Sequence, residues 1–417
     1  MSPALSLPPK AVRKLAEIAP LFLADLEQAV LEGLPADRVC AEAFRRRREL
    51  GSRDRRFLSR IVYAWFRWRG WLNRVTHKNP WPARAGLAWL LDADQSHPVA
   101  DLLLEESGLP HPGPMADMSL EEKAKALINQ PGLVEPPAIE SLIPDWAVQT
   151  IEPDHLIPTI EAWQSRPPLW IRLQSGATAL DPIEGVTGHP DWPRAYALDN
   201  TLNAHQILKP AEVAYEIQDL ASQRVGLLCE PRPGERWWDA CCGSGGKALH
   251  LADLMDNQGL IHATDLRKEP LKELRRRSRH AKVNCIRGFP LDASRELPRG
   301  EAYDGVLVDA PCTGTGTWAR NPDARWRTAE TDLENNADRQ IGLLANIAKS
   351  VKPGGRLIYA VCSLTRPETT DIVDFFTRQH SDFEPWPMEN GDHTLRIDPW
   401  EGPSNGMFVA RFKRVAS

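Results

Sequence analysis

The chain lacks the features that mark a membrane or secreted protein. No uninterrupted apolar run approaches the roughly 18 residues that a membrane helix needs, and the first twenty residues carry no apolar signal core. The seven cysteines are odd in number and scattered, which argues against a disulfide framework. The adjacent Cys241 and Cys242 have no partners spaced for zinc. We therefore expect a cytoplasmic protein with no metal site and no membrane contact.

Net charge is also small, and at −5 over 417 residues it does not suggest a nucleic-acid-binding protein. The average conceals a basic stretch from Arg38 to Lys78, in which thirteen basic residues stand against three acids and alternate with aromatic residues. RNA phosphates and unstacked bases are natural partners of such a surface. The alternative is a helix whose aromatic residues form the core and whose arginines only face solvent.

The length predicts more than one domain. Helical periodicity begins at residue 9 and no strand signal interrupts it, so residues 1–140 are predicted to form an all-helical domain. A proline-rich stretch at 131–144 overlaps the end of this domain and is predicted to be a connector. Residues 141–222 then form a small mixed α+β segment, in which Trp170–Leu173 is predicted to be a strand.

From residue 223 to the end, strands and helices alternate. Strands are predicted at 236–241, 260–264, 283–286, 305–308 and 356–361, with a long helix over 328–351 before the last of them. This alternation predicts an α/β fold class, a Rossmann-like and mostly parallel doubly wound sheet with right-handed crossovers. Two terminal strands, 394–397 and 407–413, are expected to pair as an antiparallel hairpin at one edge.

A glycine-rich loop follows the first of these strands. Gly243 and Gly245 allow the backbone to approach a ligand closely, and the helix that begins at Gly246 favours anionic groups at its N-terminus. Asp265 ends the next strand, where an acid commonly accepts hydrogen bonds from ribose hydroxyls. Asp239, at the end of the first strand, could be an ordinary turn former. The loop could bind S-adenosylmethionine or a nicotinamide or flavin nucleotide. The alternative is that it is only a tight turn.

Two cysteines close to the ends of the last two predicted parallel strands, 305–308 and 356–361, decide between the cofactors. Asp309 ends a buried apolar strand, Cys312 follows it in a Pro/Gly turn, and Cys362 ends the next strand. Hydride transfer has no use for thiols here, whereas a thiolate that adds to carbon 6 of a pyrimidine makes carbon 5 able to accept a methyl group. An acid beside ring nitrogen 3 would hold the base. The spacing alone does not say which cysteine attacks.

These motifs resemble those of the RNA 5-methylcytosine methyltransferases of the RsmB (Sun/Fmu) type. The resemblance covers residues 140–414. It is carried by Asp309-Ala-Pro-Cys312-Thr-Gly-Thr-Gly316, Tyr359-Ala-Val-Cys362-Ser363-Leu364 with Glu368, Gln218-Asp219-Leu-Ala-Ser222-Gln223 and Gly406-Met-Phe408-Val-Ala410. More weakly, the N-terminal part is similar to the NusB-like RNA-binding domain of bacterial members.

The resemblance implies a role for each candidate residue. Cys362 would be the nucleophile, Cys312 would assist product release, and Asp309 would contact the cytosine. Lys247 would lie near the methionine part of S-adenosylmethionine. The implied cofactor-binding residues are Cys242, Gly243, Ser244, Gly245, Gly246, Lys247, Asp265, Asp292 and Asp309. We therefore expect a monomeric methyltransferase acting on RNA, with 16S ribosomal RNA the expected substrate.

The cofactor loop departs from the pattern of that family. The usual Cys-Ala-Ala-Pro-Gly-Gly-Lys-Thr is Cys241-Cys-Gly-Ser-Gly-Gly-Lys-Ala248 in this chain. The missing proline and threonine keep open an alternative, an RNA-binding ribosome-assembly factor that kept the methyltransferase fold without activity. A third hypothesis, methylation of an exocyclic amine, would require an Asn/Asp-Pro-Pro-aromatic turn in place of Asp309-Ala-Pro-Cys312.

Overall fold

The computed structural model of the chain describes residues 7–75, 80–128, 130–133, 135–177, 180, 182–200, 202–208, 214–298 and 302–416. Lys78, at the end of the basic stretch, lies outside them. The chain forms two compact units, one of Met1–Arg166 with Trp318–Ala329 and one of Pro167–Thr317 with Glu330–Ser417. This division differs from the predicted segments 1–140, 141–222 and 223–417.

The first unit is helical. Its helices are α1 Pro9–Leu31, α2 Ala36–Arg46, α3 Ser52–Leu72, α4 Pro80–Asp92, α5 Pro98–Ser107, α6 Leu120–Ala126, α7 Asp145–Thr150 and α8 Pro153–Ala162. No strand occurs among the described residues of this unit, which agrees with the prediction of helices for residues 1–140. Trp65, Trp68 and Trp71 of α3 are fully buried, so these aromatic residues of the basic stretch form core, whereas Arg53 and Arg56 are exposed.

The helical unit also takes in Trp318–Ala329, which follows the Cys312 turn in the chain. Arg325 is fully buried, and its guanidinium donates to the carbonyl oxygens of Trp163 (2.7 Å) and Arg67 (3.3 Å). The indole N–H of Trp326 donates to the Phe66 carbonyl at 2.7 Å. Long-range packing therefore assigns this segment to a unit from which it is remote in sequence, and local patterns cannot predict that.

The second unit begins with a small antiparallel sheet. Its strands are β1 Leu169–Leu173, β2 Val186–Gly188, β3 Ala195–Leu198 and β4 Tyr215–Ile217, with a short helix α9 Ala204–Leu208 between the last two. The strand order is β2-β3-β1-β4. The predicted strand at Trp170–Leu173 is confirmed.

The remainder of the second unit is the predicted α/β domain. The helices of this part of the chain are α10 Leu220–Leu228, α11 Gly246–Leu254, α12 Lys268–His280, α13 Ala324–Arg327 (in the helical unit), α14 Glu330–Ile347 and α15 Thr370–Gln379. The strands are β5 Arg236–Asp239, β6 Leu260–Asp265, β7 Ile286–Pro290, β8 Tyr303–Asp309, β9 Val351–Val361, β10 Phe383–Pro385, β11 Thr394–Ile397 and β12 Met407–Arg414. They form one sheet in the order β10-β12-β9-β8-β5-β6-β7, with β11 paired to β12.

The five strands β5 to β9 are parallel, and β10, β11 and β12 are antiparallel to their neighbours. The mostly parallel sheet and the terminal hairpin are therefore confirmed. Both faces of the sheet are covered, because Trp237 and Trp238 are fully buried although successive strand residues point to opposite faces. A Cβ on Gly305 of β8 would lie 2.3 Å from the Trp237 ring, so glycine is needed there.

Several predicted element boundaries are wrong. The third parallel strand lies at Ile286–Pro290 and not at 283–286, because the Asn257 side chain accepts hydrogen bonds from the N–H groups of Asn284 and Cys285 and holds them in a loop. The long helix ends at Ile347, and β9 begins at Val351. The glycines of Pro353-Gly-Gly355 lie inside that strand, where its pairing with β8 is irregular.

Strand order determines where a ligand can bind. The first strand, β5, lies between β6 and β8, so the chain crosses from one side of the sheet to the other at the carboxyl ends of β5 and β8. Asp239 and Asp309 end these two strands, and Asp265 ends β6. None of the described helices is both long and apolar enough to cross a membrane.

Candidate active site

An ion pair joins the glycine-rich loop to the end of β8. Lys247 is the second residue of α11, and its Nζ lies 2.7 Å from Oδ2 of Asp309. Burial alone would lower the pKa of Lys247, but the charge and hydrogen bond of Asp309 and the charges of Cys362 and Asp239 together outweigh this, and the pKa is raised. Lys247 is therefore a stable cation, whereas 31% of the Asp309 side chain is exposed and open to a substrate.

The two candidate cysteines lie side by side. Their Sγ atoms are 3.4 Å apart, and both are free thiols. The hydrogen bond with Cys362, burial, and the negative charges of Cys362 and Glu368 raise the pKa of Cys312 well above its usual value. Cys312 therefore stays a thiol at neutral pH. Cys362, by contrast, lies near enough to Lys247 for a negative charge on its sulfur to be one of the causes that raise the pKa of Lys247.

A buried carboxylate ties the two cysteine turns together. Glu368 is fully buried and accepts hydrogen bonds from the Thr313 N–H (2.9 Å), the Thr313 hydroxyl, the Thr365 hydroxyl (3.2 Å) and the Gln340 amide (3.2 Å). Thr313 directly follows the first cysteine, and Thr365 lies three residues after the second. Sequence reasoning included Glu368 only as part of a motif and missed this bracing role.

The glycine-rich loop has one open and one closed face. The Gly243 N–H donates to Asp265 at 3.1 Å, and no described atom lies within 4 Å of the position that a Cβ would take on Gly243. At Gly245 a Cβ would lie 2.2 Å from Leu274 of α12. Both glycines have positive φ angles, of 52° and 83°. The loop therefore packs on α12 through Gly245 and leaves the backbone at Gly243 accessible to a ligand.

The remaining predicted cofactor residues differ in their surroundings. Cys242 is buried, its N–H donates to the Thr264 carbonyl at 2.8 Å, and burial raises the pKa of its thiol. Ser244 is exposed, and Gly246 is the first residue of α11. Asp292 lies two residues beyond β7, and hydrogen bonds from Ser294 lower its pKa. It makes no hydrogen bond to another candidate residue in the described part of the chain.

Asp239 is a further candidate for the site, which the sequence left as a possible turn former. It is fully buried, and among the described residues no donor makes a well-oriented hydrogen bond to either carboxylate oxygen, although the Cys241 N–H is near enough to lower its pKa slightly. Burial and the charges of Asp309 and Asp265 nevertheless raise the pKa of Asp239 to about 7, against the effect of Lys247. A buried acid without a partner calls for a cationic donor.

These residues fit S-adenosylmethionine. The unpartnered Asp239 suits the ammonium group of its methionine part, and Asp265, whose Oδ2 accepts from the Gly243 N–H, lies where ribose hydroxyls bind in this kind of fold. The accessible backbone at Gly243 leaves room for a ligand between these two acids. The only residue of this set that the sequence motifs did not single out is Asp239.

Comparison with known proteins agrees with the site. Residues 226–413 match the family described as 16S rRNA methyltransferase RsmB/F. The chain is 34% identical over 258 residues to the probable ribosomal RNA small subunit methyltransferase B of Bacillus subtilis (strain 168). This match covers 59% of this chain and 57% of that protein. The protein of the same name from Synechocystis is 33% identical over 217 residues, which is 49% of each chain. The chain thus spans about half the length of these curated relatives.

Two solved structures are similar over longer stretches. The crystal structure of PH0851 has a TM-score of 0.73 and 24% identity, and the match covers 99% of this chain and 100% of that one. NSun6 from Pyrococcus horikoshii, solved with SFG, has a TM-score of 0.54 and 16% identity. The match covers 66% of this chain and 97% of that one. At these identities the likeness shows the fold alone. Together with the family match, it confirms the predicted Rossmann-like methyltransferase domain, the resemblance to the RsmB type and S-adenosylmethionine as the cofactor.

Proposed function

We propose that this chain, whose residues 226–413 match the RsmB/F family of methyltransferases, methylates carbon 5 of a cytosine in RNA through a covalent adduct at carbon 6. The names of the relatives point to ribosomal RNA of the small subunit as the substrate. The observation that carries the proposal is the pair of thiols, 3.4 Å apart, at the strand end next to the Lys247–Asp309 ion pair.

Two thiols have complementary tasks in this reaction. Carbon 5 of cytosine is a weak nucleophile until a thiolate has added to carbon 6. S-adenosylmethionine supplies an electrophilic methyl group. Loss of the carbon 5 proton to solvent then breaks the sulfur–carbon 6 bond and frees the methylated base. One sulfur must therefore attack as a thiolate, and a neighbouring S–H can stabilise the same sulfur as it leaves.

The surroundings of the cysteines favour Cys362 as the nucleophile. The Lys247 cation lies near enough to interact with a negative charge on Cys362. The hydrogen bond with Cys362, burial and the negative charge of Glu368, by contrast, raise the pKa of Cys312 and favour its protonated form. The Cys312 S–H, 3.4 Å from the Cys362 Sγ, then donates a hydrogen bond to the departing thiolate and assists product release. These are the roles that the resemblance implied.

Asp309 and Lys247 act as a pair on the base. The exposed part of the Asp309 carboxylate accepts a hydrogen bond from the exocyclic amine of cytosine, because one of its oxygens is already held by the Lys247 ammonium at 2.7 Å. The cation prevents an uncompensated negative charge from facing the thiolate. Asp239, Asp265 and Asp292 are proposed to bind the ammonium, ribose and adenine parts of the cofactor.

The helical unit is proposed to be a NusB-like domain that binds the RNA. Arg53, Arg56 and Arg60 lie at the spacing i, i+3, i+7 on one face of α3, and none of them forms an ion pair with another described residue. They line a cavity of about 140 Å³ together with Asp54, Trp89 and His97, and the Arg60 guanidinium lies 4.6 Å from the Trp89 ring. Three arginines that form no ion pair in the described part of the chain, beside aromatic rings, suit a phosphate and its base.

The test is to incubate the full chain with S-adenosylmethionine and small-subunit ribosomal RNA, digest the RNA and identify the product by mass spectrometry. We expect 5-methylcytosine. N4-methylcytosine would contradict the thiol mechanism. RNA that binds tightly but gains no methyl group, in an enzyme that binds the cofactor, would favour the assembly factor.

A further inference from the structure

The helix that carries the cofactor loop is held at both ends by the small sheet. Near the C-terminus of α11, Asp253 accepts hydrogen bonds from Arg172 of β1 (2.6 Å) and from Arg194 (2.7 Å), and its other oxygen accepts from the Ser175 N–H. Arg172 and Asp253 are both buried, with 2% and 8% of their side chains exposed. This end of the helix is therefore fixed by a buried ionic cluster.

At the N-terminal end, a single arginine of α12 makes the connection. Nη1 of Arg277 donates to the carbonyl oxygen of Ser244 (2.9 Å) and to its hydroxyl (3.1 Å). Nε and Nη2 of the same guanidinium donate to one oxygen of Glu216 on β4, at 3.0 Å and 2.6 Å. Arg277 thus bridges the small sheet and the cofactor loop.

Burial separates Arg277 from the other basic residues of α12. Its side chain is 15% exposed and that of Glu216 is 7% exposed. The neighbouring Arg276 pairs with Glu273 on the same helix, where the side chains are 66% and 42% exposed. An exposed pair of that kind contributes little, whereas a mostly buried charged pair with a fixed fork geometry positions its partners.

Ser244 stands where the RsmB type has a proline, which would restrict the backbone of the loop. In this chain the run Gly243-Ser244-Gly245 has no such restriction, and both glycines adopt positive φ angles. A flexible loop loses more conformational entropy when it closes on a ligand. The contact that could replace the missing restraint is the hydrogen bond from Arg277 to the Ser244 carbonyl.

We infer that Arg277, oriented by Glu216, is a positioning residue that holds the Gly243–Gly246 loop in its cofactor-binding conformation and takes over the task of the absent proline. Arg277 does not contact reacting atoms. It organises the loop before S-adenosylmethionine binds, so its loss should weaken cofactor binding and leave turnover at saturating cofactor unchanged. The inference rests on the proposed methyltransferase function.

The experiment measures binding of S-adenosylmethionine and S-adenosylhomocysteine to the full chain by calorimetry. For Arg277→Met we expect the dissociation constants to rise by about tenfold or more, the range expected for lost hydrogen bonds to a charged group. KM for the cofactor should rise with it, with kcat unchanged. Arg277→Lys, which can reach only one of its two partners, should give a smaller rise. Arg276→Met removes the same charge from the same helix and should leave cofactor binding unchanged.

A second variant separates positioning from stability. Arg277→Met leaves Glu216 buried without its cation, which destabilises the unit, so Glu216→Gln/Arg277→Met should recover thermal stability and still bind the cofactor weakly. Recovery of both properties in the double variant would overturn the inference, as would unchanged cofactor affinity in Arg277→Met. Loss of RNA affinity alone would make Arg277 an RNA contact. If the unmodified chain bound no cofactor, the proposed function itself would fail.

Discussion

The Sγ atoms of Cys312 and Cys362 lie 3.4 Å apart although 50 residues separate them in the chain. They meet because β8 and β9 are adjacent parallel strands, paired from Gly305 with Arg356 to Asp309 with Ala360, so that their carboxyl ends lie at one edge. The Gly316 N–H donates to the Cys362 carbonyl at 2.9 Å and closes the two turns on each other. This edge of the sheet and the helical unit lead to four testable predictions.

The first concerns the division of labour between the thiols. Cys312→Ala should accumulate a protein–RNA adduct that survives denaturation, because attack by Cys362 proceeds and release is slowed. Cys362→Ala should form none. Gel electrophoresis under denaturing conditions with labelled RNA measures both. Cys285→Ala, a buried cysteine of the β6–β7 connection, serves as control and should behave like the unmodified protein. An adduct confined to Cys362→Ala would reverse the assignment.

The second concerns Asp239 and pH. Its pKa is raised from 3.8 to about 7 in the folded protein, so between these two values the folded chain binds more protons than the unfolded chain. Its contribution to the free energy of unfolding therefore falls as pH rises from about 4 to about 7. Asp239→Asn should remove this dependence, and the variant should gain stability relative to the unmodified protein as pH increases.

Thermal unfolding of the cofactor-free Asp239→Asn variant and of the unmodified protein between pH 5 and 8 tests this prediction. The difference in stability between the two proteins isolates the contribution of Asp239. A difference that does not grow with pH would contradict the raised pKa. In the same range, the unmodified protein should bind S-adenosylmethionine more tightly as pH passes through about 7, because the ionised Asp239 attracts the ammonium group. Asp239→Asn should lose that rise.

The third concerns Glu368. Glu368→Gln keeps the shape of the side chain but replaces an acceptor with an amide N–H that faces other donors, so the variant should lose about 1–3 kcal/mol of unfolding free energy. Removal of its charge should also lower the pKa of Cys312, since Glu368 is one of the causes that raise it. Denaturant unfolding and the pH dependence of thiol alkylation measure the two effects. Glu334→Gln, exposed on α14, should change neither.

The fourth concerns RNA binding by the helical unit. Replacing Arg53, Arg56 and Arg60 by Ala should weaken RNA binding and reduce the salt dependence of the association constant by about 0.7 per lost contact to a single-stranded phosphate. The control variant replaces Lys10, Arg13 and Lys14, three exposed cations of α1, and removes the same charge. Filter binding at several salt concentrations compares the two. Equal losses would mean that net charge, and not the α3 face, attracts the RNA.

Local patterns predicted the parallel strands well where they are buried on both faces. They failed at β7, an edge strand whose side chains are only partly buried or exposed. The motifs of the sequence were enough to propose Lys247, Asp309 and both cysteines as candidates, and the structure brings Lys247 to Asp309 and the two cysteines to each other. They could not show that the Asp239 carboxylate lacks a well-oriented donor among the described residues or that Arg277 reaches Ser244, because these properties depend on residues that are distant in sequence.

The sequence by itself determined which residues end the strands of the α/β domain, and therefore which acids and thiols meet at its carboxyl edge. Strand periodicity and turn residues are local, and the fold follows from them. Only the tertiary structure decided what those residues can do. Burial, the Lys247 cation and Glu368 set the different surroundings of Cys312 and Cys362, because charge and solvent exclusion act through space and not along the chain.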